Sequence, residues 1–133
     1  MEKVDVTIIG AGVIGLAIAA EISRPDLNVF ILEKNKTHGG GISSRNSEVI
    51  HGGIYYPVGS LKAFLCVEGN KLLYEIASKH GIPHKKTGKF IVAVEKEESN
   101  ELERLYDNGR KNGVASLKLV SGQQVFNMEP NVY

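Results

Sequence analysis

Apolar residues along the first third of the chain come in short runs separated by glycine, and farther on they settle into helical periods. Val4, Val6, Ile8 and Ile9 form a β-branched run that Gly10 ends. An apolar run bounded by glycine predicts a buried strand. Between Val13 and Ser23 there is no proline, and Ile14, Ala17, Ile18 and Ile22 recur at three and four residues. That spacing predicts a helix with a broad apolar face. Arg24-Pro25-Asp26 breaks it, and Val29 to Leu32 predicts a second buried strand. Strand, glycine turn, helix and strand make one βαβ unit.

From Asn35 to Gly53 no period is clean. This is a loop rich in Gly, Ser and Asn with room for one short helix, and loops of such length commonly carry function. Leu61 to His80 predicts a helix, with Ser60 as its N-cap and Gly81 at its C′ position. Phe90 to Val94 predicts a strand paired with the segment around Pro83 to Thr87. Ser99 or Asn100 opens a further helix through Lys111, ended by Gly113. Leu117 to Val120 predicts a short strand, and Ser121 caps a last helical turn or two that Pro130 stops. The pattern changes near Ser60, which divides the chain into 1–59 and 60–133. The fold class is α/β: a Rossmann-like βαβ unit, then part of an α+β region.

Composition narrows the function classes. Apolar residues make up 42% and charged residues 23% of the 133, as in an ordinary globular domain. The net charge is +1, and cutting after Cys66 leaves 6 basic and 6 acidic residues, then 10 and 9. Neither half is a basic arm, so no nucleic-acid partner is expected. One cysteine, Cys66, makes no internal disulfide and fits a reducing compartment. No apolar stretch reaches the length of a membrane span, and the N-terminal residues lack a signal-peptide pattern. The expected location is therefore cytoplasmic, with a peripheral place at the inner membrane face left open. The histidines His38, His80 and His84 show no metal spacing, so no metal is expected. Of the 15 glycines, 8 lie in the first 53 residues, which is where chemistry is sought.

Gly10-Ala11-Gly12-Val13-Ile14-Gly15 matches G-x-G-x-x-G between a predicted strand and a predicted helix. In that context Gly10 permits the tight turn, Gly12 lets a pyrophosphate approach the backbone, and Gly15 lets helix and strand pack closely. The helix's first-turn N–H groups can bind the phosphates. Glu33 ends the second strand, where a carboxylate accepts hydrogen bonds from the adenosine ribose and repels a 2′-phosphate. The segment that follows, His38 to Tyr56, favours FAD over NAD. Ser43, Ser44, Asn46 and Ser47 offer short donors and acceptors for the ribityl chain of an extended FAD.

The run RNSEVIHGGIYY, with Pro57, Ser60-Leu61-Lys62 and Leu65-Cys66-Val67-Glu68-Gly69 after it, resembles the FAD-dependent oxidoreductases of the D-amino-acid-oxidase and glycerol-3-phosphate-dehydrogenase superfamily. Within it the likeness is strongest to L-2-hydroxyglutarate dehydrogenases and oxidases, and it extends to Met128-Glu129-Pro130-Asn131-Val132. The resemblance implies that Gly10, Gly12 and Gly15 face the pyrophosphate and that Glu33 holds the ribose. It also implies that Ser43, Ser44, Asn46 and Ser47 line FAD, and that His51, Gly52 and Gly53 lie near the isoalloxazine. The implied reaction oxidises the C2 alcohol of L-2-hydroxyglutarate to 2-oxoglutarate by hydride transfer to flavin N5, with oxygen or a quinone as electron acceptor.

His51 is the candidate base, since an imidazole titrates near neutral pH. The alternatives are a packed histidine satisfied by a carbonyl, or a covalent attachment point for FAD. Arg45 is a weaker candidate for holding an anion. Tyr55 and Tyr56 either wall a flavin pocket or simply pack. Family members run to several hundred residues, so the resemblance makes this chain an N-terminal piece. Alone, it is expected to show raw sheet edges, to bind FAD weakly and to turn over nothing until a C-terminal part completes it. Other readings left open are a glycerol-3-phosphate or amino-acid oxidase, an NAD-dependent dehydrogenase, and a nucleotide-binding module without its substrate half.

Overall fold

Val6–Ile9 (β1) and Val29–Leu32 (β2) pair in parallel in a computed structural model that describes residues 3–132. Parallel neighbours need a crossover rather than a tight turn. Val13–Ile22 (α1) supplies it. The register sets Val6 opposite Val29 and Ile9 opposite Leu32, and Gly10 N–H extends the pairing by donating to the Leu32 carbonyl at 2.7 Å. These elements lie in one compact unit, Met1–Val49.

Both strands are half covered, not buried as their apolar runs predict. Val6, Ile8, Val29 and Ile31 are half-buried, and Ile8 lies against Gly15 of α1. Their neighbours point the opposite way by the two-residue period of a strand. Ile9 is 89% exposed, Leu32 56% and Phe30 41%. α1 covers one face of the pair, and no other element of this unit covers the second. The broad apolar face of α1 is likewise open at Ile14, 75% exposed.

The second unit, Ile50–Tyr133, is helical. Leu61–Lys79 (α2) begins where the Ser60 hydroxyl accepts the Ala63 N–H at 3.2 Å and ends before Gly81, whose φ is +64°. Ser99–Lys111 (α3) follows a 3₁₀ turn at Lys96–Glu98, and Gly113 closes it at φ +81°. The acidic stretch ahead of α3 does more than face solvent. Glu98 Oε2 accepts the Val94 and Glu95 amides at 2.8 and 3.1 Å, closing a capping box with Glu95. Gly122–Met128 (α4) starts on a second capping box, Ser121 with Gln124. All four predicted helices are present within about one residue of the expected ends.

The predicted strands at 83–87, 90–94 and 117–120 form no ladder among the described residues, whose sheet consists of β1 and β2. Residues 89–93 and 116–120 instead line one side of an apolar groove of about 360 Å³ against α3 and α4. Their residue types suit strands, but a ladder needs a partner, which composition does not supply. The unit boundary falls between Val49 and Ile50, ahead of the change in sequence pattern at Ser60. Residues 50–59 stay with the second unit because α3 holds their carbonyls, as described below.

Candidate functional site

The glycine turn between β1 and α1 is shaped for something that approaches the backbone. Gly10 has φ +101°, a conformation L side chains rarely adopt. A Cβ on Gly15 would fall on the Gly10 carbonyl oxygen, so only glycine lets α1 lie this close to the turn. A Cβ on Gly12 would stand 3.2 Å from Ser43 Oγ, filling the space between the turn and the loop at 42–44. Gly12 is the N-cap of α1 and contributes no side-chain bond. Ser43 caps the helix from a distance: its Oγ accepts the Val13 N–H at 2.9 Å. That leaves the Ser43 hydroxyl proton free to donate. Among the described residues, the Gly12, Ile14 and Gly15 amides meet no protein acceptor. The first turn of α1 carries no acidic residue of its own to offset its partial positive charge.

Glu33 stands beside these amides. Its Oε2 accepts the Ala11 N–H at 2.8 Å, and its Oε1 accepts the Asn35 N–H at 2.9 Å and the Asn35 Nδ2 at 2.8 Å. The carboxylate thus braces the glycine turn, a role the sequence does not announce, and Oε2 retains a lone pair for a further donor. The Asn35 amide first, then the Ala11 amide, hold its pKa below the ordinary glutamate range. Asp5 is lowered chiefly by the Asn28 amide, Glu98 by the Val94 amide, and Glu101 by Arg104. Each folded-state value lies below its unfolded one, so the stabilisation is complete above the unfolded pKa, about 4. It is lost as pH falls through the lowered values. Circular-dichroism melts are expected to give a flat midpoint from pH 7 to about 5 and a falling one below about 4. In Glu33→Gln the fall should be shallower; equal steepness would rule out Glu33 as a contributor.

The loop after β2 returns to the turn. Gly39 N–H donates to the Ala11 carbonyl at 2.8 Å, and a 3₁₀ turn at Ile42–Ser44 brings Ser43 to α1. Ser44 and Asn46 work within the loop itself. Ser44 Oγ donates to the Gly41 carbonyl at 3.1 Å, and Asn46 Nδ2 donates to the Ser43 carbonyl at 3.0 Å. Ser47 and Arg45 are exposed. The structure therefore brings Gly10, Gly12, Gly15, Glu33 and Ser43 together. Ser44 and Asn46 support that cluster, and Ser47 touches none of it. Asn35, to which the sequence assigns no role, belongs with it, and so does Gly39, whose N–H is spent on the Ala11 carbonyl. Positive φ at Gly39, +68°, is the local sign that the triple-glycine run carried.

His51, Gly52 and Gly53 lie in the second unit. The His51 ring is exposed, with Nδ1 3.4 Å from Tyr56 Oη. Lys62 Nζ stands 4.4 Å over the Tyr56 ring. Gly53 is buried at φ +90°, where a Cβ would meet Val67 Cγ2 of α2 at 2.8 Å. Three asparagines hold this loop. Asn70 Nδ2 on α2 donates to the His51 carbonyl at 3.2 Å. Asn108 Nδ2 donates to the Ile54 and Tyr56 carbonyls at 2.6 and 2.9 Å, and Asn112 Nδ2 to those of Gly53 and Tyr56 at 2.9 and 2.8 Å. Asn112 Oδ1 is buried with no partner among the described residues. An unpaired buried acceptor costs roughly 1–3 kcal/mol, so the side chain is used for its donors in spite of that cost. An Asn pair at i and i+4 is the sequence signal for this clamp, though on a helix it reads first as a solvated face.

Among the described residues no group of His, Cys, Asp and Glu could hold a metal, and no helix is long and apolar enough to cross a membrane. The turn, by contrast, fits an ADP group: glycine where a Cβ would intrude, three open amides, a free hydroxyl proton and an acceptor at Glu33. The family model described as FAD dependent oxidoreductase matches residues 5–133. The chain is 48% identical over 131 residues to the Arabidopsis thaliana protein named L-2-hydroxyglutarate dehydrogenase, mitochondrial, covering 98% of the chain and 27% of that protein. The protein of the same name from Nematostella vectensis is 48% identical over 132 residues, 29% of its length. That from Homo sapiens is 45% identical over 128 residues, 28% of its length. The chain thus spans under a third of the relatives it matches. All three are named as mitochondrial, which overturns the expected cytoplasmic location. A single cysteine and balanced charge speak to redox poise and partners, and neither distinguishes one reducing compartment from another.

Proposed function

Because this chain belongs to the FAD-dependent oxidoreductase family, whose cofactor is FAD, we propose that it forms the dinucleotide-binding part of an enzyme oxidising a small 2-hydroxy acid, L-2-hydroxyglutarate, to 2-oxoglutarate. The observation that carries the cofactor half is the open amide set of Gly12, Ile14 and Gly15 beside the Glu33 carboxylate. The substrate half is supported by the relatives' names over 95–98% of the chain. Mitochondrial placement is carried over from the same names.

In this reading residues 1–59 bind the cofactor and 60–133 open the substrate domain. When bound, FAD supplies the two-electron acceptor for the C2–H bond of the alcohol. The remaining work falls to the chain. The Gly12, Ile14 and Gly15 amides hold the pyrophosphate, and the Ser43 hydroxyl donates to it. Glu33 takes the ribose hydroxyls on its free lone pair. Ser44, Asn46 and Ser47 line the path of the ribityl chain. Gly52 and Gly53 allow the backbone to lie along the ring system. His51 accepts the proton of the C2 hydroxyl as the carbonyl forms; oxygen or a quinone would be the final electron acceptor.

The test uses the native polypeptide as its cell makes it. Flavin absorbance and 2-oxoglutarate formation from the L but not the D isomer are expected, measured in air and, under argon, with a quinone analogue. A colourless protein that refuses added FAD sinks the cofactor reading. A yellow protein inert toward L-2-hydroxyglutarate sinks the substrate alone.

A further inference from the structure

The loop from His51 to Tyr56 has no helix or ladder to satisfy its backbone. Yet the His51, Gly53, Ile54 and Tyr56 carbonyls are all taken, every one by an asparagine amide. Asn108 on α3 and Asn112 at its C-cap stand one turn apart, and Gly109 between them is buried, with Ile54 Cγ2 3.7 Å from where its Cβ would be. A Cβ at Gly109 would also meet Leu117 Cδ1 at 2.6 Å, so the glycine lets α3 pack against both Leu117 and the loop's Ile54. On the other side, Gly53 is pressed against Val67 and Asn70 holds the His51 carbonyl from α2. An asparagine amide offers two N–H donors in one plane and no net charge, so it fixes two carbonyls at once without adding a cation near a reacting centre. An apolar side chain at either position would leave those carbonyls without a donor, so the amides are kept despite the orphaned Asn112 Oδ1.

From this geometry we infer that Asn70, Asn108 and Asn112 are positioning residues for the reaction: they fix the backbone from 51 to 56 and, through it, the place of the His51 imidazole. The inference rests on the proposed role of His51. Reacting groups must be held to within roughly half an ångström, and a misplacement of about 1 Å costs about 100-fold in rate. None of the three amides reaches the reacting atoms in this account; they act through the loop.

The experiment measures kcat, KM and the pH profile of kcat for L-2-hydroxyglutarate oxidation by the native FAD-loaded polypeptide and by Asn108→Ala, Asn112→Ala and the milder Asn70→Ala. Ala77→Gly, a buried position in α2 away from the loop, is the control for lost stability. Each asparagine variant is expected to lose about 10-fold to 100-fold in kcat with KM within about twofold. The limb of the pH profile that His51→Gln abolishes should also move. Ala77→Gly should lower the melting temperature and leave kcat and that limb unchanged. Should Asn108→Ala or Asn112→Ala not fold, Asn70→Ala and Asn108→Ser decide. Variants whose rates and pH limbs match the parent, in an enzyme that is yellow and active, overturn the inference and leave the proposed function standing. A wild-type polypeptide that is colourless fails at the earlier step and takes both down.

Discussion

Gly15→Ala is expected to abolish tight FAD binding and to loosen the first unit, although alanine is the better helix former. Two effects oppose each other. In a helix interior alanine is favoured over glycine by roughly 1 kcal/mol. Against that, the new methyl group would fall on the Gly10 carbonyl oxygen, with Ile8 Cγ2 3.3 Å away. Backbone does not swing aside as a long side chain would, so α1 must lift from β1. Overpacking of this kind costs roughly 1–3 kcal/mol, and here the obstacle is main chain, so the upper end applies. The net loss is about 2 kcal/mol, which should appear as a melting temperature lower by at least about 8 °C. Binding suffers more than stability, because the lifted helix carries the Gly12, Ile14 and Gly15 amides out of register with a pyrophosphate. A loss of about 100-fold in FAD affinity is expected by quenching of flavin fluorescence. Gly69→Ala in α2 is the matched comparison: a Cβ there meets nothing within 4 Å. It should stabilise by about 0.4–1 kcal/mol. If the two substitutions behave alike, close helix–strand packing at Gly15 is not what the glycine is for.

His51→Gln should lower kcat by about 10²–10⁴-fold, the range a positioned acid–base group contributes. KM should change little, because in the proposed role the ring takes the proton and does not hold the substrate. Flavin absorbance of the variant should match the parent, which separates loss of chemistry from loss of cofactor. His80→Gln and His84→Gln are the comparisons. His80 is the C-cap of α2 through its backbone N–H, which any residue keeps, and His84 Nδ1 lies 2.8 Å from the Ile82 carbonyl. The measurement is the initial rate of 2-oxoglutarate formation at saturating L-2-hydroxyglutarate. A His51→Gln rate within about threefold of the parent would falsify the assignment of His51 as the base.

Much of the candidate site was legible in residue order. Gly10, Gly12 and Gly15 could be given separate duties because each duty follows from the lack of a Cβ at a fixed place in a strand–turn–helix. Glu33 draws notice in the sequence for its place at the end of β2. The bond that braces the turn through the Ala11 amide does not, because it spans 22 residues. Ser43 was expected beside the cofactor as one of four polar loop residues. Only the structure singles it out, by folding the 42–44 turn onto the start of α1. Asn108 and Asn112 were missed altogether. Their partners lie 52–59 residues away, and an Asn pair at i and i+4 among charged neighbours reads first as a solvated face.

The sequence by itself determined the four helices and their ends, because caps, i→i−4 bonds and positive-φ glycines all act within a few residues. It also settled the glycine turn and, through RNSEVIHGGIYY, the family. Tertiary structure alone decided which strands find partners: β1 and β2 pair, while the equally strand-like 90–94 and 117–120 do not. It decided, too, which faces of the sheet stay open and which amides grip the His51 loop. Such outcomes depend on the meeting of segments far apart in the chain, and a ladder, a covered face or a two-carbonyl clamp has no energy until both sides are present.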